Sequence, residues 1–270
     1  MFGFRDCGIM KKPLLNVIFA SEKRKNVLLM LQDGFKKMQF ILEAHNTTRQ
    51  TILPQIRILE EHHLVAQLDD SYELTTIGKL IVDEMKPLLE TVKTFNMDIE
   101  YWGTRDLSFI PSHLFKRLRE LNPYQIFKPS ISEINHPNKD LIETTASSKK
   151  MFAVTNIFHP NFMKLFTLWA ENNVEIHMIF SQEFFKKLLE HNRDEFQQLL
   201  DNENYHFYRY DKLFHSLYFA VNDHMTLLAI LRTKGWFDEK SVTSYSNTAR
   251  KWTNELFEYY LKDSTRITEL

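Results

Sequence analysis

Hydrophobic residues recur at helical spacing through most of the first hundred positions of the chain. Two short helices are predicted on either side of Ser21, a residue type that caps helices, and Gly34 is a typical stop for the second. A compact third helix follows. The spacing of Ile52, Ile56 and Leu59 then predicts a fourth helix that buries one face.

The fourth predicted helix contains Pro54, which has no amide hydrogen and clashes with the preceding turn of a helix. If regular helical bonding begins near Thr51, the proline falls in the first turn, where amides have no partner within the helix. If the helix begins at Thr48, the proline must kink it. Both alternatives place Arg49 and Gln50 at the N-terminal end of the helix.

Two strands and a long helix follow. Alternating apolar and polar residues predict a hairpin that turns at Asp69, Asp70 and Ser71. Helical spacing then resumes over residues 76–104 and is interrupted near Pro87. We expect one apolar side of this helix to be exposed and to pair with the same helix of a second copy. Its residues are Ile81, Met85, Leu88, Leu89, Val92 and Phe95.

A different pattern begins at Arg105. Four prolines between residues 111 and 137 exclude a long regular helix there. Beyond them, predicted strands and helices alternate, a hairpin turns at Asn222 and Asp223, and an amphipathic helix follows. This order predicts an α/β domain with a mixed sheet, so the overall fold class is α+β.

Composition narrows the class of protein. A chain of 270 residues favours two domains, and a hydrophobic fraction of 43% excludes wholesale disorder. The one cysteine, Cys7, permits neither an intramolecular disulfide nor a cysteine-based zinc site, which is typical of a reducing compartment. No apolar run approaches the length of a membrane span. We therefore expect a soluble, cytoplasmic protein.

The net charge of −1 hides a segregated distribution of charge. Residues 1–58 contain ten Lys and Arg residues against four acidic residues, whereas residues 59–100 contain three against ten. A basic block followed by an acidic block indicates that one face of the N-terminal region meets a polyanion.

Motifs in residues 14–80 resemble those of archaeal winged-helix transcription regulators of the arsenic-repressor-like group. Ser21 and Arg24 precede an apolar run that ends at Gly34, two threonines start the fourth helix, and "YELTTIG" ends the hairpin. The resemblance implies a winged helix-turn-helix that binds double-stranded DNA, with the fourth predicted helix in the major groove. Two-fold symmetric operators make a homodimer the expected state.

Polar side chains of suitable type lie where such a domain meets DNA. Lys23, Arg24, Lys36 and Lys37 open the second and third helices, where cations can hold phosphates. Around the fourth helix, the residues expected to contact bases or phosphates are Thr47, Thr48, Arg49, Gln50, Thr51, Gln55 and Arg57. Ordinary solvated charge remains the alternative for any one of them. Asp69 and Asp70 would be repelled by phosphate, so contact through the hairpin is not expected.

The second half resembles the middle or sensor domain of methanogen regulators of methanogenesis and filamentation. The segments "NNVEIHMIFSQE", "FAVNDHMTLLAI" and "ARKWTNELFEYY" carry this likeness. It implies a domain that receives a signal or dimerises. The predicted organisation is a tail (1–12), a winged helix-turn-helix (13–80), a helical linker (81–110) and an α/β sensor or dimerisation domain (111–270).

Catalytic and cofactor motifs are missing from the sequence. The predicted strand order is similar to that of phospholipase D-like domains, but the lysine and aspartate that should follow His215 are replaced by Leu217 and Asn222. Walker, Gly-x-Ser-x-Gly and His-Glu-x-x-His motifs are absent as well. We therefore expect neither an enzyme nor a cofactor.

Histidines and aromatic residues raise two further questions, about a metal site and about an effector pocket. Glu60, Glu61, His62 and His63 are adjacent, but neighbouring residues on a helix diverge by about 100°, so at most two can share an ion and no metal site is expected. An aromatic cluster is either core or the lining of an effector pocket. In the second case the lining would include Tyr208, Arg209, Tyr218 and Arg232.

The sequence thus predicts a DNA-binding transcription regulator with a possible small-molecule effector. The alternative is a winged-helix module that binds a protein partner and no DNA, which the acidic hairpin turn and the small net charge favour.

Overall fold

The computed structural model describes residues 12–130, 138–157, 161–212 and 218–270. Most of the predicted tail, with Cys7, lies outside the described residues, and so does His215. The chain divides into two compact units, Met1–Val92 and Lys93–Leu270. No helix of the described segments is long and apolar enough to cross a membrane.

The first unit combines helices with a small antiparallel sheet. Its helices are α1 (Leu14–Phe19), α2 (Glu22–Met30), α3 (Met38–Ala44), α4 (Arg49–Glu61) and most of α5 (Thr76–Asn96). Its strands are β1 (Lys36–Lys37), β2 (Val65–Leu68) and β3 (Ser71–Leu74), in the order β1-β3-β2. Helices followed by a hairpin match the order of elements predicted for this unit, and its identification as a winged helix-turn-helix stays a prediction.

The core of this unit lies between α2, α4 and the hairpin. Ile52, Ile56 and Leu59 are fully buried, together with Val27 and Leu28 of α2. The helical spacing therefore identified the inward face of α4 correctly. The opposite face of its first turns is left to solvent.

Pro54 lies inside α4, which begins at Arg49. The amide of Ile52 donates to the carbonyl of Thr48 at 3.1 Å, so regular bonding begins before Thr51. Pro54 cannot donate to the carbonyl of Gln50, but both residues are exposed and water can bond to that carbonyl. The alternative that placed Pro54 in the first turn is wrong.

The exposed side of α5 agrees only in part with the prediction. Met85 is 4% exposed, Ile81 and Leu89 pack against the core of the first unit, and Phe95 packs edge-on against Trp102 at 5.9 Å. The exposed apolar residues of α5 are Ile77, Leu80, Leu88 and Val92. The prediction was right for Leu88 and Val92 and wrong for Ile81, Met85, Leu89 and Phe95, because both sides of α5 carry apolar residues. The helix runs through Pro87 and ends at Asn96, before the predicted residue 104.

The second unit is built on one eight-stranded sheet among the described residues. Its strands are β4 (Gln125–Phe127), β5 (Lys150–Thr155), β6 (Glu175–Ser181), β7 (Tyr205–Tyr210), β8 (Tyr218–Asn222), β9 (Thr226–Ala229), β10 (Ser241–Ser244) and β11 (Ser264–Arg266). Their order is β11-β7-β6-β5-β8-β9-β10-β4. Strands β5, β6 and β7 are parallel and the other pairs are antiparallel, so the predicted mixed sheet is confirmed.

Helices cover both faces of this sheet. They are α6 (Ile99–Trp102), α7 (Ser112–Phe115), α8 (Lys139–Ala146), α9 (Phe162–Glu171), α10 (Gln182–Leu200) and α11 (Asn247–Leu261). On one face α11 packs with α6, α7 and the strands, and on the other α8, α9 and α10 do so. Phe180, Phe207 and Trp252 are fully buried, as expected of core aromatics.

Residues from the interval predicted as linker and from the proline-rich stretch belong to the core of the second unit. The indole of Trp252 donates to the carbonyl of Leu114 at 3.0 Å, and the hydroxyl of Tyr260 donates to the carbonyl of Phe109 at 2.7 Å. Strand β4 pairs with β10. The predicted domain bounds remain a prediction, but residues 93–130 are integral to this fold.

Candidate nucleic-acid interface

The N-terminal turns of α4 present a polar surface. Arg49, Gln50 and Thr51 are all exposed, while Ile52 points into the core. The hydroxyl groups of Thr48 and Thr51 lie 2.9 Å apart, so the two side chains stabilise each other at the start of the helix. This end of α4 offers hydroxyl, amide and guanidinium groups to a partner.

Arg24 and Gln55 lie together and join α2 to α4. Arg24 donates through Nη1 to Oε1 of Gln55 at 2.8 Å and through Nε to the carbonyl of Val17. The Ser21 hydroxyl donates to the same Gln55 oxygen at 3.2 Å. Both predicted contact residues therefore help to hold α4 in place, and their contact with DNA stays a prediction.

The three predicted lysines, Lys23, Lys36 and Lys37, lie on α2 and on the strand that precedes α3. Lys36 and Lys37 form β1, which pairs with Ser71 and Tyr72 of the hairpin. Lys37 is exposed, and the ammonium group of Lys36 lies 5.4 Å from the ring of Phe40. Lys23 is half-buried on α2. Pairing in the small sheet thus fixes the backbone positions of Lys36 and Lys37.

Two neighbours of this surface carry perturbed ionisable groups. Burial lowers the pKa of His45, and the charge of Lys23 lowers it further. Burial raises the pKa of Glu60, and the nearby Arg57 opposes that effect. Arg57 is itself exposed, whereas Thr47 is half-buried beside the start of α4.

The hairpin turn meets α4 through an ion pair. Nη2 of Arg49 lies 3.2 Å from Oδ1 of Asp70, and both side chains are more than half exposed. Asp70 therefore holds the guanidinium that was predicted to contact DNA. No sequence pattern signals this pair, because 21 residues separate its members and only the fold of the hairpin brings them together.

The end of the hairpin shows why "YELTTIG" ends in glycine. A Cβ atom at Gly78 would lie 2.0 Å from the carbonyl oxygen of Leu64. The Thr75 hydroxyl donates to the carbonyl of His63 at 2.7 Å and accepts from the amide of Gly78 at 3.0 Å. Close backbone contact between the hairpin and α5 therefore requires glycine at this position.

The four residues predicted to line an effector pocket are not gathered at one place. Tyr208 packs on the α11 face of the sheet and Tyr218 on the opposite face. Arg209 pairs with Asp211 at 2.9 Å, while Arg232 lies 4.7 Å from the ring of Trp236 and 3.5 Å from a carboxylate oxygen of Asp238. Their role in ligand binding stays a prediction.

A different polar group was missed by the sequence analysis. Glu175, His177 and His206 lie together on β6 and β7. The available signal was a pair of polar residues two apart within an apolar strand, "VEIHMIF", followed by another histidine in "YHFYRY". Strand register, which the sequence does not state, brings them side by side. His62 belongs to the run of adjacent Glu and His residues that was considered for metal binding in the first unit. Its Nδ1 is hydrogen-bonded to the carbonyl of Ile58.

One known protein is similar to this chain over almost its whole length. The chain is 24% identical over 265 residues to methanogenesis regulatory protein FilR1 of Methanothrix harundinacea (strain 6Ac). This match covers 94% of the chain but 58% of the relative, so the chain spans little more than half the length of that protein.

Two solved structures are similar at low identity. The archaeal chromatin protein TrmBL2, described as showing a novel mode of DNA binding, has 11% identity and a TM-score of 0.43 over 93% of this chain and 97% of its own. Nuc, a phospholipase D family member from Salmonella typhimurium, has 11% identity and a TM-score of 0.36 over 54% of this chain and 98% of its own.

Two family models match separate parts of the chain. The N-terminal domain of methanogenesis regulatory protein FilR1 matches residues 12–93, and the middle domain of the same protein matches residues 134–263. The first match covers the first unit, including the exposed polar end of α4, and the second match covers most of the mixed sheet. Because both domains are present in the same order, the protein belongs to the family of methanogenesis regulatory proteins.

Proposed function

We propose that the protein regulates transcription by binding double-stranded DNA through its first unit, with the N-terminal half of α4 in the major groove. The observation that carries this proposal is the division of α4 into a buried apolar face and an exposed polar end. Arg49, Gln50 and Thr51 at that end have the chemistry that reads base edges and holds phosphates. Membership in a family of regulatory proteins supports the same function.

Fluorescence anisotropy with labelled duplexes tests the proposal. One duplex carries the region upstream of the protein's own gene and the other carries a shuffled sequence. If cations release condensed counterions from DNA, log Kd will change linearly with log salt concentration, with a slope of about 0.9 per neutralised phosphate. An affinity too weak to detect at low salt, or one that salt does not change, would overturn the proposal.

Matched variants separate the roles of the side chains. Gln50→Ala is expected to reduce the ratio of the affinities for the upstream and the shuffled duplex, because a good amide contact to a base edge discriminates by about 1–3 kcal/mol. Arg49→Ala is expected to weaken binding to both duplexes and to reduce the salt slope by about one. The control is Lys251→Ala, which removes an exposed cation from α11 and should change neither property.

A homodimer forms part of this proposal. Ile77, Leu80, Leu88 and Val92 are between 46% and 66% exposed and fall within an arc of about 120° on α5. Exposed apolar side chains in such a stripe favour pairing with another helix, and a second copy would supply the second recognition helix of a symmetric operator. Leu80→Glu with Leu88→Glu should halve the mass measured by light scattering. A parent chain that is monomeric at micromolar concentration argues against the dimer.

The second unit is proposed to receive the signal or to contribute to the dimer. The competing function is a module that recruits a protein partner, and the Arg49–Asp70 pair is the observation that favours it, since it occupies a cation expected to meet DNA. The anisotropy measurement distinguishes the two functions, because the recruitment module would give no salt-dependent DNA binding.

A further inference from the structure

Three side chains with metal-binding chemistry lie on neighbouring parallel strands of the second unit. His177 of β6 and His206 of β7 are partners in strand register. Glu175 precedes His177 by two residues, so its side chain lies on the same face of the sheet. The backbone of a central sheet therefore sets the positions of all three groups.

The distances between these groups suit a shared ion. One ligand atom from each residue lies within 4.8 Å of the other two. Oε1 of Glu175 is 2.8 Å from Nε2 of His177 and 3.9 Å from Nε2 of His206. The side chains are 17–30% exposed, so an ion from solvent can reach them.

The ring of His177 is held in orientation by its neighbours. Phe152 stacks on it with centroids 4.9 Å apart and an interplanar angle of 26°. The ring of His206 lies on another side at 4.5 Å. A zinc ion needs its nitrogen and oxygen donors about 2.0–2.2 Å from one centre, so binding requires the Glu175 and His206 side chains to rotate toward a shared point.

We propose that Glu175, His177 and His206 form a binding site for a transition-metal ion such as Zn²⁺. Two imidazoles and one carboxylate make a donor set that suits zinc and its neighbours rather than magnesium or calcium, which prefer oxygen ligands. Three protein ligands leave a coordination position open to water or to a ligand from solution. The site belongs to the second unit, and the proposal does not depend on DNA binding.

Two cations compete with a metal for these side chains. Nζ of Lys150 lies 2.8 Å from Oε2 of Glu175, and Nη2 of Arg266 lies 3.2 Å from Nδ1 of His206. Arginine can only donate, so this contact leaves Nδ1 without a proton and places the proton of neutral His206 on Nε2. Metal binding at Nε2 requires the other tautomer, and Arg266 must then turn away. Both cationic side chains are at the surface and can do so.

This competition gives the site a signature that an experiment can detect. Removing a ligand should weaken metal binding, whereas removing Arg266 should strengthen it. A nonspecific metal contact elsewhere on the protein would respond to neither change.

The test is calorimetric titration of the chelator-treated full chain with Zn²⁺, with Co²⁺ absorption as a second readout of ligand geometry. We expect one ion per chain and an affinity that falls about tenfold or more in His177→Gln and His206→Gln. Arg266→Ala should raise the affinity severalfold. The control is His224→Gln, an exposed histidine in the turn between β8 and β9, which should leave it unchanged.

Several results would overturn the site. They are no Zn²⁺ binding by the parent chain at tens of micromolar, parent affinity in both ligand variants, or weaker binding in Arg266→Ala. Loss of binding in His63→Gln with retention in His206→Gln would place the ion in the first unit and would also refute it. Circular dichroism of each variant shows whether a loss reflects unfolding, and in that case Glu175→Gln provides the ligand test.

Discussion

Arg49, which is proposed to contact DNA, is also the partner of an acidic residue. The guanidinium and the Asp70 carboxylate are more than half exposed, so water screens their attraction. Exposed pairs of this kind contribute about 0.2–1 kcal/mol. A phosphate can therefore replace Asp70, at a cost that the rest of the interface must offset.

Asp70→Asn is expected to tighten DNA binding about two- to fivefold, because breaking a weak surface ion pair no longer opposes the complex. The salt slope should become steeper, since Arg49 is then free to contact phosphate. Anisotropy titrations at several salt concentrations measure both effects. Glu73→Gln removes one negative charge from the same hairpin and is the control. Equal gains in the two variants would show that net charge, and not the pair, is responsible.

His45 makes stability depend on pH. Its pKa is below the ordinary value of 6.5 because of burial and the charge of Lys23, so the unfolded chain takes up the proton first as pH falls. Folding stability from this residue is present above about pH 6.5 and is lost below it. Chemical denaturation at about pH 7.5 and 5.5 should show a smaller acid loss in His45→Gln than in the parent. His224→Gln should behave like the parent, and an unchanged loss in His45→Gln would contradict the assignment.

The junction between the hairpin and α5 depends on one close backbone contact. Leu64 receives a hydrogen bond at its carbonyl from the amide of Thr75 at 3.1 Å. The same carbonyl occupies the space where a side chain at Gly78 would begin. Hairpin and helix are thus fixed to each other by atoms that cannot move independently.

Gly78→Ala is expected to destabilise the first unit by about 1–3 kcal/mol, although alanine is the better helix former, because the added methyl group meets a backbone atom. Chemical denaturation followed by circular dichroism gives the change in free energy of unfolding. Lys79→Ala, at the exposed neighbouring position, should be nearly neutral. A Gly78→Ala protein as stable as the parent would refute the close contact.

Elements with strong periodicity could be predicted from the sequence, and elements defined by partners could not. The face of α4 formed by Ile52, Ile56 and Leu59 follows from spacing alone. Strand β4 is three residues long and exists because β10 lies beside it. The candidate interface shows the same division. The types of its polar residues can be read from the sequence, whereas the contacts between them cannot. The bonds from Arg24 to Gln55 and from Arg49 to Asp70 span 31 and 21 residues and depend on tertiary structure.

At the scale of the molecule, the boundaries of the matched family regions and of the folded units differ. The middle-domain match begins at residue 134, whereas the second unit begins at Lys93. The intervening segment supplies Trp102, Leu114 and Leu121 to the core beneath α11. Its removal would expose apolar surface that burial now stabilises.

A fragment of residues 93–270 is expected to unfold cooperatively on heating, while a fragment of residues 134–270 is expected to lack a cooperative transition and to bind a hydrophobic dye. The shorter fragment loses the carbonyl acceptors of Trp252 and Tyr260 and the strand that pairs with β10. Calorimetry and dye fluorescence measure the difference. Equal melting midpoints for the two fragments would show that the segment is dispensable.

The carbonyls of Phe109 and Leu114 accept hydrogen bonds from α11, so the segment that contains them and α11 have to match each other. This requirement limits where genes for such proteins can recombine. A crossover between two related genes near residue 93 would transfer the whole sheet with its own supporting segment. A crossover near residue 125 would combine α11 from one parent with the core segment beneath it from the other parent. Side chains of mismatched volume would then meet in the core, and such recombinants would be selected against. Lineages that exchange the second unit should therefore carry their breakpoints close to the end of α5.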